Sequence, residues 1–337
     1  MISDVLQKPE VNFSLHAVGR AARLARTVQS EMISPALTKD DRSPVTVADF
    51  AVQAVVARLL GAAFPGAPLV AEESGNVLRA SGEQATLDAV TGFVGQAIDG
   101  ATPEAVCDWI DLGGSDGSER FWTLDPIDGT KGFLRGDQYA VALALVEAGQ
   151  VQLGVLGCPG LVDGHRADVA GHGSLVLAVR GCGTWTVPLD DPTWDAADRF
   201  TRLHVSDRAD PAQARLLRSV ESAHTNTGKI GELVTSLGVE ADPVGLDSQA
   251  KYAVMAAGGG DLLVRLLSSR QPDYREMIWD QAAGSLVVEE AGGRISDLAG
   301  RPLDFGRGRT LADNRGVLAS NGHLHERALA ALAEISA

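Results

Sequence analysis

Hydrophobic positions recur at helical spacing near the start of the chain, with Leu15, Val18, Ala22, Leu24 and Val28 predicting an amphipathic helix over Phe13–Met32. A polar stretch from Ile33 to Pro44 interrupts the pattern, and Pro35 and Pro44 punctuate it as a loop. A second apolar segment predicts a helix over Val47–Ala63, stopped by Pro65-Gly66. Pro68–Ala71 then reads as a short strand leading into Glu72-Glu73-Ser74, and residues 75 to 105 as another helix with a connection. Phe121, Trp122 and Leu124 form an apolar run that predicts a short buried strand with Asp125 at or near its end.

Beyond that point the period changes. Tyr139–Glu147, Val151–Leu156 and Ser174–Val179 are rich in valine and leucine and are separated by Gly149 and Gly181-Cys182-Gly183, which predicts an antiparallel sheet. From Leu203 onward strands and helices alternate: strand Leu216–Val220, helix Ile230–Leu237, strand Pro243–Leu246, helix Ser248–Ala257 and strand Leu262–Leu266. Such alternation predicts an α/β unit. A chain of 337 residues exceeds the size at which single cores stop growing. The expectation is therefore two lobes, an α+β lobe over 1–200 and an α/β lobe over 201–337, with Asp190–Asp198 as the irregular link.

Composition narrows the function classes. A net charge of −15 argues against a polymeric nucleic acid as partner, but not against a small phosphorylated ligand. The three cysteines, Cys107, Cys158 and Cys182, lack CxxC spacing, so a zinc cluster or disulfide framework is not expected and a reducing cytoplasm fits. Residues 1–12 hold no continuous apolar core, and no apolar run reaches the length of a membrane span. The glycine runs Gly258–Gly260 and Gly292-Gly293 match no dinucleotide or P-loop fingerprint and read as loops or close-packing points.

Candidate chemistry concentrates in Asp125-Pro-Ile-Asp-Gly-Thr130. Asp125 and Asp128 flank Pro126, which fixes its own φ and biases Asp125 toward extended backbone. Two carboxylates this close repel unless a cation sits between them, and hard divalent ions such as Mg²⁺ take such oxygen ligands together with substrate phosphates. Gly129 allows close backbone approach to a phosphate, and the cations Lys131 and Arg135 follow. Taken alone the same residues also describe a surface turn. Asp49, Glu72 and Asp280 are further acidic candidates; each standing alone reads equally well as a helix-end or strand-end charge.

Together these segments resemble the lithium-sensitive, Mg²⁺-dependent phosphatase superfamily that includes inositol monophosphatase and fructose-1,6-bisphosphatase. Glu72-Glu73-Ser74, Asp125–Thr130 and Trp279-Asp280-Gln-Ala-Ala-Gly284 carry that resemblance. The nucleotidase branch is marked by Ser43–Asp49, Thr130–Gly136, Leu246-Asp-Ser-Gln-Ala-Lys-Tyr252 and Pro302–Thr310. The resemblance implies a layered α-β-α-β-α sandwich of two lobes, with the active site between them. It also implies that Glu72, Asp125, Asp128, Asp280 and the Ile127 carbonyl hold two or three Mg²⁺ ions. Asp49 and Thr130 would orient and deprotonate the attacking water, while the backbone at Gly129 and Thr130 would hold the scissile phosphate. His224, Ser248, Lys251 and Arg265 match positions that contact the nucleotide. The implied reaction is removal of the 3′-phosphate of adenosine 3′,5′-bisphosphate, with its sulfated form PAPS as a further substrate. An inositol phosphate phosphatase and a catalytically silent nucleotide-binding protein are the alternatives. The segment between Arg265 and Asp280 is about two residues longer than the branch pattern, at Ser268–Pro272.

Overall fold

The protein is described from a computed structural model that covers residues 2–33, 43–220, 227–267 and 273–335. Two long helices, Pro9–Met32 and Pro44–Ala63, open the fold and pack on each other. Both begin earlier than their apolar periodicity predicts. Pro9 and Pro44 sit in the first turn of these helices, where the missing N–H is no loss and the fixed φ is already helical. Pro44 therefore opens the helix instead of closing the loop. The second helix has the length and mean hydropathy, 1.5, of a membrane span, yet 72% of that window is buried inside the protein. Residues 75 to 105 contribute more helix than expected: Gly75–Leu78, Gln84–Ala97 and the start of Pro103–Asp111.

A seven-stranded sheet lies against these helices, in the order Leu69–Ala71, Arg120–Asp128, Ala140–Glu147, Gln150–Cys158, Ser174–Val179, Gly183–Pro188 and Thr201–Leu203. The first pair is parallel and every later pair antiparallel. Its two faces differ in side-chain size because successive residues of a strand point opposite ways. Val141, Leu143 and Leu145 face the two long helices, whereas Ala140, Ala142 and Ala144 face the other way. The small face admits the helix Ala282–Glu290 at close range: a Cβ on Gly154 would lie 2.8 Å from the Ala283 carbonyl oxygen.

That helix and its neighbour Ala250–Ala256 fill the space between the first sheet and a second, five-stranded one. The second sheet has the order Val244–Gly245, Leu216–Arg218, Leu262–Arg265, Val317–Ser320 and Arg294–Ser296. The helices Thr227–Leu237 and His325–Glu334 cover its outer face, where Leu233, Ala328 and Leu332 meet Leu216, Leu262 and Leu318. The layers thus run helix, sheet, helix, sheet, helix. The glycine run Gly258–Gly260 is a close-packing point: a Cβ on Gly260 would lie 2.4 Å from Leu217 Cγ.

Candidate active site

The strand carrying the central motif runs through it, from Arg120 to Asp128, rather than ending near Asp125. Its pairing with Ala140–Glu147 shifts register between Asp125 and Asp128. A bulge accommodates Pro126, which has no N–H to give the ladder, and it re-aims the flanking side chains. Gly129 then adopts φ +94, and a short helix, Thr130–Arg135, follows. The left-handed backbone matters here because a Cβ on Gly129 would also meet Ser248 Cβ at 2.8 Å.

A cavity of about 310 Å³ opens at this turn. Glu72, Asp125, Ile127, Asp128, Gly129 and Thr130 line it from the first sheet's side. Ser248, Lys251 and Arg265 line it from the second, and Asp280 from the loop before Ala282–Glu290. The Ile127 side chain is buried in the core, so its backbone is what borders the cavity. Asp49 lies in the second turn of its helix, deeper than the helix start that its sequence context predicts, and is buried beside Glu72 and Glu73. Asp49 and Thr130 share no hydrogen bond among the described residues, although the helices bearing them pack together. Asp280 does not cap the helix after it; Gln281 occupies that position. His224 and Ser268–Pro272 lie outside the described residues.

The carboxylates strain against their surroundings. Burial raises Asp125 well above the usual carboxylate range, and Asp128, Glu72, Asp280 and Asp49 add to the effect. Burial also lifts Asp280 to about 8; Arg265 opposes this, while Asp128, Glu276 and Glu72 reinforce it. Glu72 opens onto the cavity, yet the protein around its carboxylate, with Glu73 and Asp128 near, raises it to about 7. Asp128 is raised by burial and partly relieved by Lys251, Arg265 and the Gln249 N–H, which donates to its Oδ2 at 2.6 Å. Asp49 is raised by burial, then by Glu73 and Glu72. Among the described residues, no three acidic, histidine or cysteine side chains close on one point; the carboxylates ring the cavity.

Asp125 Oδ1 is buried and has no hydrogen-bond partner among the described residues. A buried carboxylate oxygen left without a donor is costly, and an all-oxygen donor set is what a hard divalent cation takes. The residues therefore fit such an ion.

The cavity is lined by cations as well. Burial lowers Lys251 to about 8 and Arg265 lowers it further, against the pull of Asp128 and Asp247. Its Nζ donates to Ser219 Oγ at 3.3 Å. Burial alone would lower Arg265, but Glu276, Asp280, Tyr252 and Asp128 outweigh it and hold the guanidinium above its ordinary value. Glu276 pairs with Arg265 at 2.8 Å and accepts from Gln281 Nε2 at 3.0 Å, and Gln281 in turn accepts from the Tyr252 hydroxyl. Ser248 holds φ +67, a left-handed conformation that costs a non-glycine residue roughly 1–3 kcal/mol.

Several lining residues carry no signal of their own in the sequence: Ser219, Asp247, Tyr274 and Gly132. Asp247 is a buried carboxylate that accepts from Arg135 Nη2 and, at 3.2 Å, from the Val220 N–H. Its position inside Leu246–Tyr252 is the one available pointer. Gln249 lies in the same motif and ties the site together: its side chain donates to the Trp279 carbonyl and accepts from the Gly284 N–H, both at 3.0 Å.

The family model of the inositol monophosphatase family matches residues 10–337. A Schizosaccharomyces pombe protein named 3′(2′),5′-bisphosphate nucleotidase is 39% identical over 345 residues, covering 97% of this chain and 96% of its own. An Oryza sativa protein of the same name is 41% identical, covering 91% of this chain and 89% of its own. Among solved structures, an inositol monophosphatase from Anabaena superposes with a TM-score of 0.62 at 21% identity, covering 96% of this chain and 97% of that one, and shares the fold. The chain belongs to the inositol monophosphatase family.

Proposed function

We propose that the chain hydrolyses the 3′-phosphate of adenosine 3′,5′-bisphosphate, releasing AMP and phosphate, with PAPS as a second substrate. The observation that carries this reading is one cavity lined by both carboxylates and cations. Glu72, Asp125, Asp128 and Asp280 line it together with the cations Lys251 and Arg265. A ligand bearing two phosphate groups matches that combination: one group reacts among the carboxylates and their ions, the other meets the cations. Relatives named for the same nucleotide chemistry support the assignment.

The family is metal-dependent, and Mg²⁺, as two or three ions, is the cofactor proposed here. Glu72, Asp125, Asp128, Asp280 and the Ile127 carbonyl would hold it. When bound, such ions lower the pKa of water and neutralise charge on the phosphoryl and leaving oxygens. Asp49 and Thr130 orient and deprotonate the attacking water. Backbone N–H groups after Gly129 hold the scissile phosphate, and the absence of a Cβ there keeps that approach open. Lys251 and Arg265 hold the second phosphate, and Ser248 contacts the nucleotide. The first sheet with its two long helices and the second sheet with its own helices form the two lobes. Three free cysteines fit the reducing cytoplasm proposed as its compartment.

The test is product analysis of adenosine 3′,5′-bisphosphate incubated with the protein and Mg²⁺. The reading requires AMP and one phosphate; release of the 5′-phosphate, or nucleotide binding without turnover, would contradict it.

A further inference from the structure

We infer that Arg309 is a positioning residue that braces the metal end of the cavity from behind. The inference rests on the proposed metal roles of Glu72 and Asp280. Arg309 lies in the Pro302–Thr310 motif, where it marks the nucleotidase branch without an evident chemical role. It does not line the cavity.

Its side chain spans the molecule between the two residues that precede those acids. On one side the guanidinium donates to the Ala71 carbonyl at 2.5 Å, and to Ser115 and Gly113 carbonyls at 3.1 and 3.4 Å. Ala71 ends the edge strand Leu69–Ala71, and Glu72 is the next residue. That strand pairs with one strand of the sheet and is bridged on its other edge by residues 113–115, where the Ala71 N–H donates to the Gly113 carbonyl at 2.9 Å. The guanidinium thus ties together the strand end and the segment that flanks it. On the other side the guanidinium stacks 4.8 Å from the ring centroid of Trp279, which directly precedes Asp280. Backbone pairing secures the crossing: the Ile278 N–H donates to the Arg309 carbonyl at 3.1 Å, and the Leu311 N–H to the Glu276 carbonyl at 2.9 Å.

One planar group thus links the backbone before Glu72 to the residue before Asp280, two carboxylates that repel each other. The geometry needs arginine in particular. Its fork serves three carbonyl acceptors while its face meets the indole, and a lysine ammonium reproduces neither. Groups that orient metal ligands without touching the metal commonly change affinity by about 10–100-fold when removed.

The experiment compares wild type, Arg309→Lys and Arg309→Ala by titration calorimetry with Mg²⁺ on the intact protein. Thermal unfolding without metal, and kcat and KM for the bisphosphate nucleotide, accompany it. Arg309→Lys should weaken Mg²⁺ binding about tenfold. Saturating Mg²⁺ should return kcat to within about threefold of wild type, with nucleotide KM within about twofold. If Arg309→Ala does not fold, Arg309→Lys carries the test. Mg²⁺ affinity unchanged in a folded variant, with a lowered Tm, would reduce Arg309 to a structural contact and overturn the inference. So would a nucleotide KM that rises as much as the Mg²⁺ dissociation constant, or a wild type that binds no Mg²⁺. A wild type that binds Mg²⁺ but spares the nucleotide contradicts the proposed function alone, and the affinity comparison still decides the brace.

Discussion

The two ends of the cavity are built from different materials. At the acidic end, Asp125 and Asp128 sit on a central strand of the first sheet, with Glu72 just past its edge strand. Burial raises each above the ordinary carboxylate range; neighbouring carboxylates add to this at Asp125 and Glu72, whereas Lys251 and Arg265 partly relieve Asp128. At the basic end, Lys251 and Arg265 come from a helix and a strand of the other half. They are already paired, Arg265 with Glu276 and Lys251 with Ser219. One end waits for external positive charge; the other is rigid and preorganised. The difference teaches that a site can store electrostatic strain where a cation will relieve it, and place hydrogen bonds where geometry alone must discriminate.

Removing a member of the acidic end should have the largest effect. Asp125→Ala should lower kcat by at least about 10³-fold while circular dichroism shows the fold intact. Retention of more than a tenth of the activity would show that the ends are not functionally distinct. Thr130→Ala should lower kcat about 10²-fold with little change in KM if Thr130 has its proposed part in water activation. Equal changes in both constants would move Thr130 to a positioning role.

The basic end should answer in the other constant. Arg265→Ala should raise the KM for the bisphosphate nucleotide about 10–100-fold, the range expected for charge-assisted hydrogen bonds, and alter kcat less. A matching loss on 3′-AMP, which lacks the second phosphate, would argue against that assignment.

The stored strain has its own signature in pH. The carboxylates of the acidic end have folded pKa values above their unfolded ones, to about 7 for Glu72 and about 8 for Asp280. The metal-free folded state therefore holds protons that the unfolded chain has released, and stability falls as pH rises toward 8. Differential scanning calorimetry should show the metal-free Tm dropping by roughly 5 °C between pH 5.5 and 8.5, and Mg²⁺ should flatten that slope. A metal-free Tm that rises over this window would contradict the electrostatic picture.

The smallest effect concerns the join between the ends. Arg135→Ala removes a partner of Asp247, beside Ser248, and should raise nucleotide KM about threefold. An effect on Mg²⁺ affinity instead would place Arg135 at the acidic end.

Local pattern makes part of the acidic end legible in the sequence. Asp125 and Asp128 lie three residues apart around a proline, while Glu72 and Asp280, which alone read as strand-end and helix-end charges, join them only through the family resemblance. The antiparallel sheet and the α/β alternation are legible too, from the switch of hydrophobic period after residue 139, whereas the layering comes from the family resemblance. Pro44 misleads because proline stops a helix from inside but starts one at its first turn. The strand end near Asp125 is displaced because a bulge lets a strand continue past a proline. Gln249, Asp247 and Arg309 are hidden for a different reason: their partners are distant in the chain. The Arg309–Ala71 bond spans 238 positions, and no spacing rule reports such a contact.

Carboxylates and cations in one cavity should select a bisphosphorylated nucleotide. The most direct test is kcat/KM for adenosine 3′,5′-bisphosphate and for inositol 1-phosphate, measured with the same preparation at saturating Mg²⁺. The nucleotide should be favoured by about 10²-fold or more, since inositol 1-phosphate leaves Lys251 and Arg265 without a phosphate partner. Equal values, or faster turnover of the inositol ester, would contradict it.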